Sequence, residues 1–110
     1  MISDADVEKA IDYLRNSATE AAQARANMKY LVEFLKSKRA QIKVAQRDMS
    51  NAAADDAALS DPAYLELLKA FEVSVEKDAF HSFKREAASA LIEAWRTMNA
   101  NARAEGRAYT

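Results

Sequence analysis

Residues 7–49 read VEKAIDYLRNSATEAAQARANMKYLVEFLKSKRAQIKVAQRDM. Every seventh residue from Val7 is apolar: Val7, Leu14, Ala21, Met28, Leu35, Ile42 and Met49. Counting four further on each time gives a second, more mixed row of Ile11, Ala18, Arg25, Val32, Arg39 and Gln46. A seven-residue apolar repeat carried through six heptads is the pattern of a helix that lies along another helix. Its strict period predicts left-handed supercoiling with that partner. No Gly or Pro interrupts it. A helix from about Asp4 to Ser50 is roughly 70 Å long at 1.5 Å per residue, too long for a globular core to surround. Its partner is therefore another long helix, from this chain or from a second copy.

Working outward, Ser3 stands where an N-cap belongs, with Asp4 and Asp6 in the first turn, where negative charge suits the helix dipole. At the other end, Ser60-Asp61-Pro62 is the strongest punctuation in the chain. Asp61 can cap a helix that Pro62 opens, at the one position where the missing N–H costs nothing. The expected layout is a helix over 4–51, a connection over 52–61, a second helix over 62–104 ended by Gly106, and a short tail over 105–110. In the second helix Tyr64, Leu68, Phe71 and Val75 follow the heptad, but Asp78, Ser82 and Arg85 occupy its next positions. Apolar residues move instead to Ala79, Phe80, Phe83, Ala87, Leu91, Ala94 and Met98. That swing predicts either a break near residues 76–78 or two halves that face different partners.

Charge fixes the direction of pairing. Residues 1–24 carry five acids and two bases, residues 25–47 one acid and seven bases, residues 48–78 eight acids and two bases, and residues 79–110 three acids and five bases. An antiparallel hairpin sets the basic segment beside the acidic one and matches the two outer ends as well. Summed complementarity of this kind selects orientation, although single surface pairs are weak. The fold class expected is thus all-α, an antiparallel, coiled-coil-like hairpin of two long helices within one domain. Spare apolar surface at Tyr30, Phe34, Phe80 and Trp95 leaves one hairpin uncovered, so a homodimer or higher oligomer is expected, as a helical bundle. Its seam is expected at Val7, Ile11, Leu14, Met28, Val32, Leu35, Ile42, Met49, Leu68, Phe71 and Val75.

The 110 residues suit one domain, and the single Gly, single Pro and 30% charged fraction suit long helices. Cysteine is absent, which excludes disulfides and thiolate metal sites. No apolar run reaches a membrane span and the N-terminus lacks a signal pattern, so a cytoplasmic location is expected. No nucleophile–base pair, Gly-rich phosphate loop or metal-ligand cluster is present, so neither an enzyme nor a cofactor is expected. Asp78-x-x-His81 has half of the spacing used in di-iron bundles, but the further carboxylates that such sites need are missing.

Two groups are candidates for a partner or nucleic-acid face. Lys36, Arg39 and Lys43, with Lys38 and Arg47, form the densest basic cluster. It reads as a phosphate contact or as a solvated face paired with the acidic segment, and the acidic neighbour favours the second reading. Arg96, Asn99 and Arg103 share one face near the end of the second helix. They suit phosphate or a partner protein, or an arginine-rich helix end that complements the dipole. The aromatic residues and Met28, Met49 and Met98 sit at packing spacings.

The layout, with Tyr30-Leu31 in the first helix, Tyr64 opening the second and the ending Ile92-Glu93-Ala94-Trp95-Arg96-Thr97-Met98-Asn99-Ala100-Asn101-Ala102-Arg103, resembles small helical proteins of tailed bacteriophages and prophages. Such proteins are generally of unknown function and tend to be encoded among recombination and replication genes. The resemblance implies a non-enzymatic accessory factor of phage DNA metabolism in the bacterial host, partnered with itself and with a phage or host DNA-metabolism protein. Blocking a host nuclease or defence protein is the alternative activity, and a purely structural oligomerisation module is the third. The resemblance transfers no catalytic residue.

Overall fold

The computed structural model describes residues 1–108. Three helices account for nearly all of them: α1 (Asp4–Ala45), α2 (Asn51–Ser60) and α3 (Pro62–Ala108). No strand occurs among the described residues, and no helix is long and apolar enough to cross a membrane.

Local chemistry sets most of the boundaries. The Ser3 hydroxyl accepts a hydrogen bond from the Asp6 amide at 3.1 Å, and the Asp6 carboxylate accepts one from the Ser3 amide at 3.0 Å. This reciprocal cap satisfies two amides that the first turn would otherwise leave bare. The Ser3 amide also holds the Asp6 carboxyl below the usual carboxylate range. α1 stops at Ala45, short of the expected residue 51, and residues 46–49 form turns. Ser50 is extended and its hydroxyl accepts from the Ala53 amide, opening α2. The stretch expected as a connection is therefore largely a helix, which its alanines favour once Ser50 caps it. Asp61 is extended too, as the residue before proline prefers. Its carboxylate accepts from the Ala63 and Tyr64 amides at 2.9 and 3.2 Å. At the far end Gly106 does not stop α3, which runs on to Ala108. A glycine stop needs a left-handed backbone, and Gly106 has no positive φ. Of the expected tail, Tyr109 and Thr110 lie outside the described residues.

The contacts fall into two units, residues 1–21 with 80–110, and residues 22–79. In the first unit, the Trp95 indole N–H donates to Asp4 at 3.2 Å, and Arg85 donates to the Leu14 carbonyl and the Ser17 hydroxyl. Residue numbers fall along α3 as they rise along α1, so the two segments run antiparallel. In the second unit Arg25 pairs with Asp78, while Arg39 and Lys43 both pair with Asp55 of α2. All three contacts join the basic segment to the acidic one. The buried Ala54 and Ala58 of α2 share one face of that helix.

The seam corrects the second row of the sequence reading. Residues of α1 that are buried or half-buried include Val7, Ala10, Leu14, Ser17, Ala21, Ala24, Met28, Leu31, Leu35, Lys38 and Ile42. The interleaved row thus lies three residues on, not four. Ile11, in the expected row, is 41% exposed, whereas Ala10, Ser17 and Ala24 are 8% exposed or less. Small side chains face inward where helices approach closely, and apolar character alone pointed to the larger neighbours. On α3 the inward row runs Tyr64, Leu67, Phe71, Ser74, Asp78, His81, Arg85, Ala88, Ile92 and Trp95. Its three-four spacing never breaks, and α3 is continuous across Asp78. What changes is chemistry rather than register: polar residues take the middle positions.

Candidate functional site

The polar seam is built from both long helices. In the first unit the Arg85 guanidinium reaches α1 and donates to the Leu14 carbonyl at 2.7 Å and the Ser17 hydroxyl at 2.8 Å. Ser17 is buried, so this hydroxyl depends on Arg85 rather than water. His81 is also buried, edge-on to Phe80, and its Nδ1 has no hydrogen-bond partner. In the second unit Asp78 accepts from Arg25 at 3.2 Å, and buried Ser74 bonds back to the Phe71 carbonyl at 2.6 Å. Asp78 is thus engaged by a guanidinium. No group of three His, Cys, Asp or Glu suited to a metal occurs among the described residues.

Of the expected basic face, Lys36 pairs with Glu33 within α1, both largely exposed. Arg39 and Lys43 lie 3.4 and 2.9 Å from Asp55. Lys43, with Arg39 behind it, holds the Asp55 carboxyl below the usual carboxylate range. These two cations secure α2 to α1 and are only partly available to another anion. The lowered value gives a pH dependence. The contact is fully formed above the ordinary carboxylate value of 3.8 and is lost as pH falls through the lower folded value. Asp55→Asn should remove this acid transition and loosen α2, read as faster amide exchange at Ala54 and Ala58. Exchange rates that stay within twofold of the parent would show that Asp55 does not hold α2.

Arg96, Asn99 and Arg103 are exposed near the end of α3, around a shallow depression of 510 Å³ that Trp95 also lines. Arg96 is tied to Glu93 at 3.0 Å. Asn99 and Arg103 are exposed and have no such tie among the described residues. The structure therefore brings these three together.

The residues expected to form an oligomer seam divide. Val7, Leu14, Met28, Leu35, Ile42 and Phe71 lie in the inward rows of the chain itself, and Val32 is half-buried beside them. Ile11, Leu68, Val75 and Met49 are 40–50% exposed. Sequence reasoning missed Ser17, Ser74 and Arg85 as inward residues. For Ser74 and Arg85 the unbroken three-four spacing on α3 was the signal that locates them. Compared with protein-family models, curated proteins and solved structures, the chain matches none.

Proposed function

We propose that this chain is a non-enzymatic helical binding module, an antiparallel hairpin of two long helices that works as a homo-oligomer. The observation that carries the reading is uncovered apolar surface. Among the described residues, four of the six buried hydrophobic residues are alanines and no large side chain is fully buried. Meanwhile Tyr30, Phe80 and Phe83 are each more than half exposed. Large aromatic side chains left exposed in this way mark association faces.

The resemblance to small phage proteins supplies the setting, an accessory role beside recombination or replication proteins. The exposed Arg96, Asn99 and Arg103 supply a surface for phosphate or for an acidic protein. Titration with single- and double-stranded oligonucleotides across a salt series tests the nucleic-acid form of this reading. Affinity should fall steeply with salt and should drop at least tenfold in the Arg96→Ala plus Arg103→Ala variant. An absence of binding at low salt by the intact oligomer would remove nucleic acid as the partner.

A further inference from the structure

In the second unit, an apolar ridge runs along one edge of the α1–α3 seam. Val32 follows the inward Leu31 on α1. Leu68 and Val75 follow the inward Leu67 and Ser74 on α3, with Leu65 one turn before Leu68 on the outer side. Leu65, Leu68 and Val75 are 40–43% exposed, and Val32 is half-buried. On α3 this carries the apolar stripe beyond the seam, with Glu72 interrupting it, while on α1 Val32 stands between Lys29 and Lys36 in the corresponding row. A stripe wider than the seam suits a bundle rather than an isolated pair.

We infer that this ridge is covered by the same ridge of a second copy, related by a two-fold axis parallel to the helices. The result is a four-helix bundle. Charge decides for this occupant and this symmetry. Lys29 borders the ridge on the α1 side and Glu72 on the α3 side, both exposed. Neither takes part in the ion pairs of this unit, which join Arg25 to Asp78, Lys36 to Glu33, and Arg39 and Lys43 to Asp55. Rotation about an axis parallel to the helices lays each α1 on the partner's α3. Height along the bundle is kept. The basic segment of each copy then meets the acidic segment of the other, just as within one chain, and Lys29 comes level with the partner's Glu72. An axis perpendicular to the helices would lay each α1 on the partner's α1 and forfeit that match. The opposite edge carries Tyr30 and Phe34, whose rings stack on each other at 5.8 Å, without a comparable pair of unlike flanking charges.

This inference rests on the homo-oligomeric reading above, and the test separates the two. Sedimentation velocity is run at 100 µM on the parent chain, on Leu68→Glu plus Val75→Glu, and on Tyr30→Glu plus Phe34→Glu, with helicity checked by circular dichroism. The parent and the Tyr30/Phe34 variant should sediment as oligomers, and the Leu68/Val75 variant as a helical monomer. If the Leu68/Val75 variant keeps the parent's mass, the ridge is not the interface although the oligomer stands. If the parent is itself a monomer, both readings fall. Charge reversal supplies a second readout that does not threaten the fold. Lys29→Glu should weaken association at least threefold, and adding Glu72→Lys should restore it to within twofold. Failure to restore would overturn the proposed symmetry.

Discussion

Leu35→Asp should cost about 4 kcal/mol or more and abolish the cooperative melt of residues 22–79. Leu35 is the largest of the buried hydrophobic side chains, at 9% exposure. It lies in the inward row of α1 between Leu31 and Lys38. Of the nearby cations Arg25 holds Asp78 and both Arg39 and Lys43 hold Asp55, which leaves Lys38, one turn on in the same row and itself half-buried, so a carboxylate there is only partly compensated. A buried charge without full compensation is among the few single changes that exceed about 4 kcal/mol. Ile42→Asp, at a half-buried position, should cost less because its carboxylate can reach water. Val44→Asp, on a side chain 68% exposed, should leave the melt within a few degrees. Circular dichroism melts of the three variants check this order. A Leu35→Asp protein that melts like Val44→Asp would show that residue 35 does not face the seam.

Arg85→Ala should lower stability by about 2–3 kcal/mol, the usual worth of hydrogen bonds to a charged group. For a domain of this size that corresponds to a melting temperature lower by on the order of 10 °C. The change strips the Ser17 hydroxyl and the Leu14 carbonyl of the donor they share. Arg85→Leu alone should also destabilise, since it leaves the same hydroxyl unanswered. Combined with Ser17→Ala, however, it should recover most of the loss, because an apolar layer in place of a complete polar one is often neutral. The double-mutant cycle measures that coupling directly. Additive effects of Ser17→Ala and Arg85→Leu would mean that the two side chains do not interact.

The same pair explains what the sequence concealed. Helix content, the Ser3 cap and the Asp61-Pro62 start of α3 follow from local rules, and each is read from one to four residues. The inward row of α1 was half legible, because Val7, Leu14, Met28, Leu35 and Ile42 are apolar. Its companion row was not, because Ala10, Ser17 and Ala24 stand there for size rather than hydrophobicity and Lys38 is a cation that an apolar pattern passes over. On α3 the polar residues Asp78 and Arg85 looked like a broken repeat, yet both occupy inward positions and find partners on α1. Only the partner helix makes a half-buried guanidinium intelligible. The short helix α2 was hidden for another reason: an alanine-rich stretch is compatible with helix or connection, and the Ser50 cap that decides between them is one hydroxyl.

The candidate site was legible as composition more than as geometry. Arg96, Asn99 and Arg103 do share a face, as their spacing requires. Lys36, Arg39 and Lys43 divide between a local pair with Glu33 and an anchoring pair with Asp55. A run of cations in sequence thus carries less information about ligands than the acids that fold against it.

Because the uncovered apolar surface underlies both the proposed function and the proposed interface, the mass of the protein in solution is the most direct test. Sedimentation equilibrium over a hundredfold dilution should give at least twice the 12.2 kDa chain mass at the higher concentrations, falling toward one chain only on dilution. A well-folded species of one chain mass throughout the series would contradict the account.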